Sequence, residues 1–225
     1  MRLPSNVRSL RAAWQAAEGL HREEIPRRPC FNVDNTNAAV PKLYVYDLIG
    51  GYDSDAAEFV QAVHGITAKA IDLHINSPGG FVYDAFAMYE ALDASPAAVN
   101  VSIDGLAGSA ASFLAMVGDT VSIARGGRVM IHDAQLVAIG GPADLREFAD
   151  MADQVSNDVA GYYAARAGGT AASWRKAMTA TTWYSAQQAV DAKLADRVTG
   201  SKTNGPDNRT RIIQARNRAL TTQGG

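Results

Sequence analysis

Apolar and polar positions along the chain change period several times, and each change marks an element. Leu43-Tyr-Val-Tyr-Asp-Leu48 reads as a strand, Gly50-Gly51 as a turn, and Ser54 to His64 as a helix. Ile71-Asp-Leu-His-Ile75 alternates apolar and polar residues, which predicts a strand with one polar face. Asn76-Ser-Pro-Gly-Gly80 breaks it, and Tyr83 to Leu92 returns to helical spacing. The unit then repeats, with a strand at Val99 to Asp104, a turn at Gly105 to Gly108 and a helix at Ser109 to Met116. Two short strands are expected at Thr120 to Ile123 and Arg128 to His132.

After Gly140-Gly141-Pro142 the spacing of Leu145, Phe148, Ala149, Ala152, Val155, Val159, Tyr162 and Tyr163 predicts one long helix over 142–167. Asp144 with Glu147 resembles a capping box; Ser185 with Gln188 is a second, opening a short helix that ends near Ala192. Asp196 to Val198 closes the pattern. Upstream, Val7 to Leu20 has the spacing of a short helix that Pro26 and Pro29 terminate, and Asn32 to Asn37 is polar and turn-like. The expected organisation is a basic arm at 1–40, a catalytic domain at 41–200 and a basic polar tail at 201–225. Successive strand–turn–helix units predict an α/β fold with largely parallel strands. Ligands of such sheets sit where strands end and helices begin, and both glycine-rich breaks fall there.

Charge sharpens this division. The net charge is −2, with 21 basic against 23 acidic residues. Residues 1–30 carry +3 and residues 201–225 carry +4, which leaves −9 on the segment between them. An acidic body is unlike a duplex-DNA reader, and no nucleic-acid partner is expected. The single cysteine, Cys30, excludes a disulfide framework and a four-cysteine zinc site. The uncharged stretch from Gly105 to Gly118 has 14 residues, short of the roughly 20 that a membrane span needs. With Arg2, Arg8 and Arg11 interrupting the N-terminus, no signal peptide is expected, and a soluble protein of the cytoplasm is. Scattered histidines and the lack of a Gly-Lys-Ser/Thr loop point to no metal and no nucleotide cofactor.

Three blocks remain for chemistry. Ser109, in Gly105-Leu-Ala-Gly-Ser109-Ala-Ala-Ser112, falls where an apolar strand meets a small-residue helix. A hydroxyl there is either a helix N-cap or a nucleophile beside free backbone N–H groups. Its flanks are Ala107 and Ala111, so it is not the G-x-S-x-G elbow. His132 ends the apolar strand Val129-Met130-Ile131 and is the one histidine placed to reach the mouth of a sheet; His21, His64 and His74 read as surface or packing residues. Asn76-Ser-Pro-Gly79-Gly80 is either a plain turn or a loop whose amides line an oxyanion hole.

Taken together, Ile75-Asn-Ser-Pro-Gly-Gly80, Gly108-Ser109-Ala-Ala-Ser112 and Met130-Ile-His132 resemble the Clp-type caseinolytic serine proteases in order and approximate spacing. Ile103-Asp-Gly-Leu-Ala, Ala115-Met-Val-Gly-Asp119 and Trp183-Tyr-Ser-Ala-Gln-Gln-Ala189 look most like the bacteriophage head maturation (prohead) branch. The resemblance runs from about Leu43 to Val198. It implies a Clp protease/crotonase-like fold of repeated β-β-α units, with a long helix after the catalytic histidine. It implies Ser109 as nucleophile, His132 as general base, and the amides of Gly80 and Ala110 as oxyanion donors. It further implies a homo-oligomeric ring or double ring acting on protein or peptide substrates, with phage scaffold or capsid proteins as partners. Any ATP use would belong to an unfolding partner.

One position departs from the resemblance. The family's third triad member is an acid, and the matching residue here is Thr181. A threonine can orient an imidazole but cannot stabilise its cation by charge, and in a template triad that charge is worth about 10⁴ in rate. The sequence leaves open a weakened protease oriented by Thr181, a substitute carboxylate from Asp133 or Asp153, and a non-cleaving structural relative. A crotonase-type acyl-CoA enzyme is a further alternative, but it would place Glu or Asp in the helix where Ser112 to Val117 is apolar.

Overall fold

Buried and half-exposed residues alternate along the two central strands, and this alternation organises the molecule. The computed structural model describes residues 30–34, 39–50 and 55–200. Among them eight strands form one sheet: β1 (Phe31–Asp34), β2 (Lys42–Val45), β3 (Ala70–Ser77), β4 (Ala98–Gly108), β5 (Thr120–Ala124), β6 (Arg128–Ile131), β7 (Thr182–Ser185) and β8 (Arg197–Thr199). The order β1-β2-β3-β4-β5-β8 is parallel apart from the β1–β2 pair. β6 branches off β4 in parallel, and β7 pairs antiparallel with β6. This is a mixed α/β fold with a mostly parallel sheet, as the strand–turn–helix pattern predicts.

Leu73, Ile75, Val101, Ile103, Val121 and Ile123 form the buried face of the sheet. The opposite face carries a polar ladder. Asp72 accepts from Asn100, whose amide oxygen accepts from Thr120, while Ser102 meets Ser122 and Asp104 meets His74 and Tyr46. His74 thus belongs to a surface network, stacked on Tyr44 with ring centroids 4.8 Å apart.

The helices are α1 (Asp55–His64), α2 (Val82–Asp93), α3 (Ala110–Leu114), α4 (Pro142–Ala167), α5 (Ala171–Thr179) and α6 (Ala186–Asp191), with a 3₁₀ turn at Ala115–Val117. α4 buries Phe148, Val155, Val159 and Tyr163 from its expected stripe, and Ala160 beside them. The stripe fails near its start, where Leu145 stays 45% exposed and Ala149 is exposed as well, because the helix starts clear of the body. Ser185 and Gln188 cap α6 reciprocally, as their spacing predicts.

Several boundaries differ from those the sequence suggests. β4 does not turn at Gly105 but runs on to Gly108, exchanging β5 for β6 as its partner after Ile103. Gly105 permits this, since a β-carbon there would lie 2.4 Å from Asn76 Oδ1. Asp144 is not the N-cap of α4: the cap is Gly141, and Asp144 is the third helical residue, accepting from the Gly141 N–H at 2.8 Å. β1 lies inside the segment read as an arm, yet it joins the sheet. α5, opened by a Thr170–Ser173 capping box, and strand β7 have no counterpart in the periodicity reading. The expected helix at Val7 to Leu20, His21 and the tail at 201–225 lie outside the described residues.

Candidate active site

Three strand ends converge on one point. β3 ends in the Pro78-Gly79-Gly80 loop, β4 in Ser109 and β6 in His132. Ser109 adopts φ 50°, ψ −124°, and its side chain makes no cap hydrogen bond. Such a conformation costs a non-glycine residue about 1–3 kcal/mol and persists only where the surroundings enforce it. The N-cap reading of Ser109 therefore fails, because the hydroxyl is directed elsewhere. Its Oγ lies 2.8 Å from His132 Nε2. The Ser109 N–H donates to Met130 O at 2.8 Å, so the serine backbone is tied to the strand that carries the histidine.

The glycine loop packs against this turn. A β-carbon on Gly79 would lie 2.6 Å from Gly108 O, 2.7 Å from Ser109 Cβ and 2.8 Å from Ala110 N, and Gly79 holds φ 104°. No other residue fits there without displacing backbone. On its far side Gly79 O accepts from Ile49 N at 2.8 Å. The Gly79–Gly80 peptide is trans, so the Gly80 N–H points away from Ile49. Ala110 is the first residue of α3, where an amide has no intrahelical acceptor. Gly80 and Ala110 are thus brought to the same corner as Ser109. Two residues not singled out from sequence fix the loop. Ser77, fully buried, donates to Asp47 O and accepts from Gly79 N, and Asn76 Oδ1 accepts from Leu106 N. Both sit inside the Asn76–Gly80 block, and it was their hydrogen bonding that the sequence did not reveal.

The alanines around the serine have a packing reason. Ala107, Ala111 and Ala115 are completely buried and Ala110 nearly so, which seats α3 close against the sheet.

The third-member position is arranged differently. Thr182 pairs with Ile131, which places Thr181 one step further on, beside His132. Thr181 has φ 50°, its N–H donates to Met178 O, and its side chain is exposed. His132 Nδ1 is buried without a hydrogen-bond partner among the described residues. Neither candidate carboxylate reaches it. Asp133 forms an ion pair with Arg175 at 3.1 Å and accepts from Thr179 Oγ1 at 2.8 Å. Asp153 lies 3.1 Å from the same guanidinium. One arginine on α5 holds both acids away from the imidazole. Among the described residues no group of His, Cys, Asp and Glu has the geometry of a metal site, and no helix is long and apolar enough to cross a membrane.

The chain is 25% identical over 189 residues to the ATP-dependent Clp protease proteolytic subunit 1 of Protochlamydia amoebophila, covering 80% of this chain and 91% of that one. It is 31% identical over 133 residues to proteolytic subunit 2 of Corynebacterium efficiens, covering 58% and 66% of the two chains. The proteolytic subunit of Pleurastrum terricola is 28% identical over 137 residues. Residues 54–202, about two thirds of the sequence, match the Clp protease family model, and the chain belongs to that family.

Proposed function

We propose that this protein is a serine endopeptidase that cuts peptide bonds through an acyl-enzyme and processes scaffold or capsid proteins during phage head maturation. The observation that carries the peptidase reading is the 2.8 Å approach of Ser109 Oγ to His132 Nε2 from a serine held at φ 50°. In this reading His132 takes the hydroxyl proton as Ser109 attacks the substrate carbonyl. The Gly80 and Ala110 amides receive the developing oxyanion, and His132 returns the proton to the leaving amine. Water then hydrolyses the acyl-enzyme by the same steps in reverse roles. The phage assignment is supported by the sequence style around Ile103–Ala107, Ala115–Asp119 and Trp183–Ala189.

A ring of identical subunits completes the proposal. Leu136, Val137 and Ile139, on the loop before α4, are 43%, 54% and 77% exposed, more apolar surface than a free loop normally presents. A light-scattering mass of several subunits is expected, and a monomer at working concentration would contradict the ring. Thr181 in place of an acid favours a second reading, a non-cleaving structural relative.

Labelling with a serine-reactive fluorophosphonate separates the two. Wild-type protein is expected to label, and Ser109→Ala and His132→Ala to lose labelling; in a template enzyme either loss costs about 10⁶ in turnover. A folded, assembled wild type that does not label leaves only the structural reading.

A further inference from the structure

The left-handed backbone of Ser109 is held by main-chain and side-chain contacts, and the side-chain part reaches deep into the core. The Ser109 carbonyl accepts from the Ser112 N–H at 2.9 Å and from Ser112 Oγ at 2.5 Å. Ser112 Oγ lies 2.7 Å from the Tyr163 hydroxyl on α4. A carbonyl can only accept, so the one Ser112 proton goes to Ser109 and Tyr163 must donate to Ser112. Both side chains are out of solvent, at 0% and 1% exposure. Burial raises the Tyr163 phenol far above its ordinary range, which keeps it a donor. Their neighbours Phe113, Leu114 and Ala160 are apolar. Alanine and phenylalanine would fill the same space with no polar atom to satisfy, so packing alone does not account for two hydroxyls here.

The carbonyl that receives this relay shares a peptide with the Ala110 N–H. In a trans peptide the two groups are coplanar and point in opposite directions. Fixing the direction of the Ser109 carbonyl therefore fixes the direction of the Ala110 amide. We propose that Ser112 and Tyr163 are positioning residues, and that the relay Tyr163–Ser112–Ser109 aims the Ala110 N–H at the oxyanion and holds Ser109 Oγ on His132. The proposal rests on the serine peptidase reading. It predicts that the relay acts on the transition state more than on substrate binding.

The test compares Ser112→Ala, Tyr163→Phe and the double variant by fluorophosphonate labelling rate, kcat, KM and melting temperature. Ser112→Ala leaves the Tyr163 hydroxyl buried without its acceptor and should lower stability most. The double variant removes both hydroxyls, leaves Ser109 O its Ser112 N–H bond, and should melt close to wild type. A positioning role predicts that the double variant nevertheless loses about 10- to 100-fold in labelling rate and kcat, with KM unchanged. A merely structural role predicts that activity follows melting temperature, so wild-type rates in the double variant overturn the proposal. If that variant does not fold, Tyr163→Phe decides: about a threefold loss of kcat is expected, and an unchanged kcat overturns the proposal. A wild type that does not label removes the peptidase reading and this inference with it. A labelled wild type with an unimpaired double variant removes the inference alone.

Discussion

Ser109 is restrained on both sides of its own backbone, whereas His132 is aligned by its strand and has no partner at its second ring nitrogen among the described residues. The serine N–H is bound to β6, its carbonyl to α3 through Ser112, and its Cβ occupies the space that a side chain at residue 79 would need. On the histidine side, the adjacent Asp133 carboxylate is drawn off by Arg175 and Thr179, and Thr181 faces solvent. The nucleophile half is built from main chain and buried hydroxyls, and the base half from an exposed turn and a half-exposed ion pair. The contrast teaches where such an enzyme is limited. In the proposed peptidase reading, nucleophile geometry and oxyanion donors are the firm side, and the orientation and charge stabilisation of the imidazole are the weak link.

The largest effect should come from disturbing the well-held half. Gly79→Ala puts a β-carbon within 2.6–2.8 Å of Gly108 O and Ala110 N, at a φ of 104° that alanine rarely adopts. The loop must move, and the Gly80 amide with it. Removing one oxyanion donor costs about 10²–10³ in turnover, and a loss of that size is expected in peptide hydrolysis. Circular dichroism and melting would confirm that the sheet survives. Near-normal turnover would show that the loop does not line the oxyanion site and that the nucleophile half is less constrained than its geometry suggests.

How far this contrast was legible in the sequence follows from the kind of contact on each side. The parallel core strands announced themselves, because β3 and β4 are buried on one face and polar on the other and so alternate with period two. The glycine loop and Ser109 sit at breaks in that alternation, which is why both could be placed. α5 and β7 were missed because the short segment from Ala171 to Ser185 packs with Trp174 and Met178 as its buried residues, too few to set a period. β1 was read as turn because Asn32 and Asp34 are polar and the strand lies at the edge of the sheet, where half-exposed residues suffice. The relay through Ser112 and Tyr163 joins residues 51 positions apart, and no local pattern reports such a bond. The fate of Asp133 was half legible. It follows His132 directly in the sequence, and successive side chains of an extended segment point to opposite sides, but its partner Arg175 is 42 positions downstream on α5.

A smaller effect, of the opposite sign, is expected on the weak half. Thr181 is β-branched and sits at φ 50°, a conformation that asparagine and aspartate tolerate better. Thr181→Asn and Thr181→Asp should both relieve that backbone and raise the melting temperature slightly. Only aspartate adds a carboxylate at the position next to His132 in the strand register. Turnover should rise in Thr181→Asp by about tenfold, well short of the 10⁴ that an aligned acid contributes in a template triad, and stay unchanged in Thr181→Asn. Equal turnover in the two variants would mean that residue 181 does not communicate with the imidazole. The histidine half would then be limited by something other than its missing acid.

The smallest effect tests whether the division between the halves extends along α4. Tyr163 near its C-terminal end touches the relay to Ser109, while Asp144 at its start only caps the helix by accepting from Gly141 N–H. Asp144→Ala removes that bond and a negative charge from the positive end of the helix dipole, a loss of about 1 kcal/mol. For a domain of this size that lowers the melting temperature by about 2–4 °C. The first turns of α4 are exposed apart from Phe148, so fraying there uncovers little core and leaves Val155, Val159 and Tyr163 packed as before. Fluorophosphonate labelling should therefore keep its wild-type rate while the melting temperature falls. A labelling rate that drops together with stability would show that the whole helix, and not its last two turns, sets the conformation of Ser109. In that case the firm hold on the nucleophile would be a property of α4 as a rigid body, and the comparison between the two halves would have to include the exposed loop from which that helix starts.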